Sequence, residues 1–220
     1  LGAVLFDMDG LMVDSEPLWT QAEVELAADL GGTWGDDVKA AVVGTRLEVA
    51  VPTILTWYGV EPTDEQVART SAWLLGRMVE LFQGALPVLP GVRELLAALR
   101  AEAVPVALVS SSYRVLVDAA LAGGLGPFDL TLAGDEVVHG KPHPEPYLTA
   151  AASLGVDPAS CVVLEDSPAG VASGEAAGCA VVAVPSVAGV VFGTAPRRLV
   201  TTTLAGVDVA ALRQLVARTG

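Results

Sequence analysis

Asp7 and Asp9 stand two residues apart, after the apolar run Ala3-Val4-Leu5-Phe6 and directly before Gly10. Carboxylates this close to a buried strand are costly unless a cation or hydrogen bonds compensate them. Alone, Asp-x-Asp-Gly also reads as a capped turn. Three later sites extend the argument. Ser110, with Ser111 after it, follows Val106-Ala107-Leu108-Val109; Lys141 lies in Gly140-Lys141-Pro142-His143-Pro144; Glu165-Asp166 follows Val162-Val163-Leu164. Each has a plain structural role by itself, as a helix cap or a surface lysine. Together, at or shortly beyond strand ends, they gather carboxylates, hydroxyls and an ammonium at the edge where open α/β sheets bind ligands. That set suits phosphoryl transfer. A phosphate dianion repels a carboxylate nucleophile, so a divalent metal is needed to bridge them and spread the charge. Clustered aspartate oxygens suit Mg²⁺, which keeps several waters and takes few protein ligands.

The elements that must position these residues are short continuous apolar runs at 3–6, 104–109, 130–133, 161–164 and 180–184, the pattern of strands buried on both faces. Between them lie helical patterns. Val92, Leu95, Leu96 and Leu99 repeat at helical spacing after Pro90-Gly91; Tyr147, Leu148, Ala151 and Leu154 do so before Gly155. Ser167-Pro168 reads as an N-cap with proline at the first helical position. Strand and helix alternate from residue 90 onward, which predicts a Rossmann-like parallel-sheet core. The segment 16–86 breaks the alternation, with helical stretches near 17–30, 46–57 and 63–83, the last opened by a capping box from Thr63 to Gln66. The expected fold class is therefore α/β with an inserted α-helical cap domain at 16–86, the core being 1–15 and 87–220. The connections near 13–17 and 85–90 are the expected hinges.

Bulk properties narrow the function classes. The chain carries 12 basic against 26 acidic residues, a formal net charge of −14, and its only lysines are Lys39 and Lys141. Such a surface repels nucleic acid and anionic membranes, so neither is an expected partner. No stretch reaches the uncharged length of a membrane span, and no basic n-region of a signal peptide is visible. Cys161 and Cys179 sit in apolar runs and read as buried free thiols, consistent with a reducing cytoplasm.

Asp7-Met8-Asp9-Gly10-Leu11-Met12-Val13-Asp14-Ser15-Glu16 resembles the first motif of the haloacid dehalogenase superfamily. Ser110, Lys141 and Glu165-Asp166 match its second, third and fourth motifs in order. Leu164-Glu165-Asp166-Ser167 with Ala169-Gly170 is similar to the β-phosphoglucomutase-like subfamily, whose helical cap follows the first motif. The resemblance implies an aspartate nucleophile at Asp7 and a general acid and base at Asp9. It implies Mg²⁺ held by Asp7, the backbone carbonyl of Asp9 and Asp166, with Glu165 direct or through water. Ser110, Ser111 and Lys141 would bind the transferring phosphate.

The superfamily's branches differ in ways this sequence registers. Its dehalogenases lack an acid–base aspartate at the position of Asp9, so Asp9 argues for phosphate chemistry. Its phosphonoacetaldehyde hydrolases use a cap lysine for a Schiff base, but the surroundings of Lys39 do not resemble theirs. β-Phosphoglucomutase places a histidine where Trp19 stands here. Asp14-Ser15-Glu16-Pro17-Leu18-Trp19 instead resembles sugar-phosphate phosphatases. The expected activity is hydrolysis of a small phosphorylated metabolite by a monomer or homodimer. A mutase and a non-catalytic phosphate-binding protein are the alternatives. Substrate choice falls to the cap: Arg46 in Gly44-Thr45-Arg46, Glu16 and Trp19 are its candidate contacts, with Arg114 a further candidate in the core. An exposed first-turn arginine at 46 and a core tryptophan at 19 are equally open readings. His139 and His143, flanking Lys141, read as loop residues.

Overall fold

The computed structural model describes residues 1–42, 45–84, 86–186 and 189–218. It divides into two compact units, Leu1–Ser15 with Leu86–Gly220, and Glu16–Ala85. Leu86 thus groups with the first unit, whereas the boundary expected from the sequence falls after it. Gly44 and Ala85, in the expected cap loop and second hinge, lie outside the described residues.

The first unit is an α/β sandwich of the Rossmann-like kind. Its strands are β1 (Ala3–Phe6), β2 (Val106–Val109), β3 (Leu130–Leu132), β4 (Cys161–Glu165), β5 (Ala180–Ala183) and β6 (Arg198–Val200), in the order β3-β2-β1-β4-β5-β6. All neighbours are parallel, and β1 lies between β2 and β4 with Phe6 opposite both Leu108 and Leu164. Strands β1, β2, β4 and β5 are buried along their whole length, which is why their sequences are unbroken apolar runs rather than alternations. β6 was not expected. It is a three-residue edge strand beginning with a charged Arg198, too short and too polar to register as a buried run.

Helices α5 (Val92–Ala101), α6 (Arg114–Ala122), α7 (Glu145–Ser153), α8 (Pro168–Ala176) and α9 (Val209–Val216) belong to this unit. Ser167 caps α8 as its pattern predicts, its side chain accepting from the Gly170 N–H. In α7 the buried face is Pro146, Tyr147, Ala150 and Ala151. Leu148, placed on that face by the sequence analysis, is exposed. The fully buried Tyr147 turns the face toward Ala150 instead.

The second unit holds α1 (Glu16–Asp29), α2 (Asp36–Val42), α3 (Leu47–Trp57) and α4 (Asp64–Gly84). Leu26, Ile54, Leu55, Leu74, Met78 and Phe82 form its interior. Arg77 of α4 grips Glu25 of α1 through bonds of 2.7 and 2.9 Å, and Lys39 of α2 ties to Glu16 and Thr20 of α1. Helix α2 escaped the sequence analysis because its seven residues span only two turns. At the start of α4 the Gln66 N–H donates to Thr63 Oγ1 at 3.3 Å.

Candidate active site

The strand order reverses at β1: β2 and β3 are laid down to one side of it, and β4, β5 and β6 to the other. At such a switch point the strand ends diverge and leave a crevice. The residues just beyond the strands continue the ladder, so they are held as firmly as the sheet. The Asp7 N–H donates to Leu164 O at 3.0 Å, Ser110 N–H to Leu132 O at 3.0 Å and Val184 N–H to Glu165 O at 2.7 Å.

Lys141 reaches this edge from the loop between β3 and α7. Its Nζ donates to Asp7 Oδ1 at 2.6 Å and to Val109 O at 2.8 Å, and lies 2.7 Å from Glu165 Oε1. Glu165 is fully buried and held from several sides. It accepts from Tyr147 OH at 2.6 Å, from Ser167 Oγ at 3.2 Å and from the Asp166 N–H at 3.2 Å. The Tyr147 ring also lies under the ammonium, 5.0 Å from centroid to Nζ, a cation–π contact in a dry site. Ser186 Oγ donates to Asp166 Oδ2. Gly10 completes the floor. It sits at φ +80°, and a Cβ there would lie 2.1 Å from Asp166 Oδ2, so only glycine permits this approach.

Asp9 is held differently. Ser15 Oγ donates to its Oδ1 at 2.7 Å, while Ser112 Oγ at 2.8 Å and Ser110 Oγ at 3.3 Å donate to Oδ2. Ser110 also accepts the Ser112 N–H at 2.9 Å. Ser111 is exposed beside them.

The charges do not balance. Ligand oxygens of Asp7, Glu165 and Asp166 lie within 4.8 Å of one another, all three residues are buried, and one ammonium faces them. Burial, only partly opposed by Lys141, pushes the Asp7 carboxyl well above its ordinary range, and Glu165, Asp166 and Asp9 push it further. Burial likewise raises Asp166 to about 6, against the hydrogen bond from Ser186. Burial alone would lower Lys141, but Asp7 and Glu165 beside it hold the ammonium above its usual range. A buried excess of negative charge on hard oxygen donors is what a divalent cation compensates, so the donor set fits one.

The other sequence candidates lie elsewhere. Arg114 is committed to Glu136, Asp118 and Thr131, where it ties the start of α6 to β3, and none of these belongs to the aspartate cluster. The guanidinium is engaged by two carboxylates. Within the second unit, Glu16 pairs with Lys39 at 2.8 Å, Trp19 is half-buried on α1, and Arg46 is exposed at the N-cap of α3. The hydrogen bond that Lys39 donates to Glu16 holds its ammonium above the ordinary range, the opposite of what a Schiff-base lysine needs. His139 and His143 are exposed loop residues. Nothing in the sequence marks Ser15, Ser112, Tyr147 or Ser186 as part of the site. Hydroxyls carry no local signal of the carboxylate they will meet.

Buried carboxylates and an ammonium thus converge at the switch point of a parallel sheet, the place where open α/β folds bind their ligands. Residues 1–178 match the model of the haloacid dehalogenase-like hydrolases, and the chain belongs to that family as a phosphoric monoester hydrolase. It is 35% identical to hexitol phosphatase B of Escherichia coli strain K12 over 192 residues, covering 84% of this chain and 83% of that one. It is 34% identical to protein CbbY of Rhodobacter capsulatus, with 84% and 86% covered. The crystal structure of CbbY from Rhodobacter sphaeroides in complex with phosphate superposes with a TM-score of 0.82 at 26% identity, covering 96% of this chain and 99% of that one. Among the described residues, no helix is long and apolar enough to cross a membrane.

Proposed function

We propose that this chain is a Mg²⁺-dependent phosphatase for small sugar-type phosphate monoesters and works through a phosphorylated Asp7. The observation that carries the reading is the buried trio Asp7, Glu165 and Asp166 facing the single ammonium of Lys141. Asp7 and Asp166 would hold the metal, as the resemblance also implies for the Asp9 carbonyl. Glu165, held by Tyr147, Ser167 and Lys141, orients Lys141 and would add to the metal's donors directly or through water. When bound, Mg²⁺ neutralises the phosphate and lets a carboxylate approach it.

A carboxylate oxygen of Asp7 attacks phosphorus, and the bond from phosphorus to the ester oxygen breaks. Asp9 gives its proton to that leaving oxygen and then takes one from the water that attacks the acyl phosphate, freeing Asp7 and inorganic phosphate. Ser15, Ser110 and Ser112 fix the Asp9 carboxylate for both transfers. Lys141 and Ser110 face the equatorial oxygens of the transferring group, with Ser111 beside them. Helices α1 to α4 act as the cap, and Glu16, Trp19 and Arg46 are its candidate substrate contacts.

The sugar-type substrate rests on the 35% identity to hexitol phosphatase B. A cytoplasmic monomer or homodimer, with Cys161 and Cys179 reduced, fits the two buried free thiols. The test is phosphate release from hexitol phosphates, hexose 6-phosphates, nucleotides, phosphoglycolate and β-glucose 1-phosphate, with and without Mg²⁺. Mg²⁺-dependent release, fastest for a hexitol or hexose phosphate, is expected. Conversion of β-glucose 1-phosphate to the 6-phosphate without net release would assign a mutase instead.

A further inference from the structure

The loop that delivers Lys141 inward carries two histidines outward, and they do not point at random. His139 Nδ1 lies 2.7 Å from Glu145 Oε2, and His143 Nδ1 lies 4.0 Å from the same oxygen. The two rings face each other with centroids 4.6 Å apart and planes inclined by 34°. Ligand atoms of all three residues fall within 4.8 Å of one another.

The carboxylate at the centre is fixed before any ligand arrives. Glu145 accepts the Val138 N–H at 2.8 Å and the His139 N–H at 3.0 Å. The loop beneath is equally fixed: the His143 N–H donates to Gly140 O at 3.0 Å, and Ser173 Oγ donates to His143 O at 2.6 Å. Lys141 pins its middle, with a side chain only 4% exposed against 62% for His139 and 51% for His143. The imidazoles are therefore carried on a fixed frame and lie open to solvent on a strongly acidic chain. Of its polar neighbours, His143 Nδ1 accepts the Glu145 N–H at 3.2 Å, a long bond that an ion would replace.

We propose that His139, His143 and Glu145 form a second metal site, which takes one transition-metal ion of the zinc class on the solvent side of the Lys141 loop. Two imidazole nitrogens and one carboxylate oxygen suit Zn²⁺, Co²⁺ or Ni²⁺, with Zn–N bonds of about 2.0–2.1 Å and a water completing the tetrahedron. Mg²⁺, which favours all-oxygen surroundings, is the wrong ion here and the right one for Asp7 and Asp166. The two sites therefore sort ions by donor chemistry. An ion bridging positions 139, 143 and 145 closes the loop around Lys141 and stabilises the folded state by mass action.

The experiment uses the tag-free chain in saturating Mg²⁺, so that the aspartate cluster is occupied, and titrates Zn²⁺ by calorimetry. In parallel, ¹⁵N spectra follow the imidazoles, which come from the chain's only two histidines. One equivalent of Zn²⁺ is expected, with both imidazole signals shifted and the melting temperature raised. His143→Ala loses that equivalent and the rise in melting temperature while keeping its fold and its Mg²⁺ response. The site is refuted if neither imidazole signal moves in excess Zn²⁺, or if His139→Ala and His143→Ala both retain the Zn²⁺ equivalent. None of these readouts depends on phosphatase activity, so the inference stands or falls apart from the proposed function.

Discussion

Gly170 and Glu165 meet so closely that a Cβ on the glycine would lie 1.8 Å from the glutamate Cδ and 1.9 and 2.0 Å from its two carboxylate oxygens. The Ser167 cap turns the start of α8 against the end of β4, and the missing side chain is the space the carboxylate fills. Gly170→Ala is expected to expel Glu165 and uncouple it from Lys141 and Tyr147. Breaking a buried, hydrogen-bonded charge pair costs about 3–5 kcal/mol, so both melting temperature and turnover should fall sharply. A variant with wild-type stability and turnover would mean that Glu165 does not hold Lys141 in place.

Among the described residues, Lys141 is the one cation facing the three buried carboxylates. Lys141→Met removes it without removing the volume of the stem. The metal-free protein should lose about 3–5 kcal/mol of stability in urea unfolding, and Mg²⁺ should restore part of the loss. Turnover should not recover, because the group facing the transferring phosphoryl oxygens is gone. Full recovery with Mg²⁺ would make the lysine purely structural.

Ser15 and Ser112 are expected to act through Asp9. A hydrogen bond to a charged group contributes about 1.5–3 kcal/mol, and about 1.4 kcal/mol is a tenfold change in rate. Ser15→Ala and Ser112→Ala should each lower kcat roughly tenfold with KM little changed. An altered KM at constant kcat would instead place these hydroxyls on the substrate.

The pH response follows from Asp166, which burial raises to about 6 from an ordinary value of 3.8. With the folded value above the unfolded one, the metal-free fold holds this proton the more tightly. The stabilisation it provides is present at low pH and is lost as pH rises through about 6. A metal ligand must be ionised, so Mg²⁺ competes with that proton. The rise in melting temperature on adding Mg²⁺ should be larger near pH 7.5 than near pH 5, and Asp166→Asn should shrink the difference to the part that Asp7 contributes. An equal rise at both pH values in the wild type would exclude Asp166 as the titrating ligand.

What the sequence made legible is what depends on neighbours in the chain. The runs ending at Phe6, Val109 and Leu164 marked strands buried on both faces, and the charged or hydroxyl residues after them marked the edge where chemistry sits. Asp7, Lys141, Glu165 and Asp166 do come together there. What stayed hidden depends on contacts across the chain. Ser112 reaches Asp9 across 103 positions, and Tyr147 is both a helix-face residue and the donor to Glu165. Arg114 looked available because Glu136, which takes it up, sits 22 residues away beyond a strand. Short elements such as α2 and β6 offer too few residues for any periodicity to emerge.

Asp7 is the group expected to carry the phosphoryl. The most direct measurement is acid quenching of the enzyme during turnover of its best phosphate ester with Mg²⁺, followed by peptide mass analysis. One added phosphoryl group is expected on the peptide containing Asp7, absent without Mg²⁺ and absent in Asp7→Asn, whose phosphate release is also lost. Unchanged release by Asp7→Asn, with no phosphorylated peptide in the wild type, would contradict it.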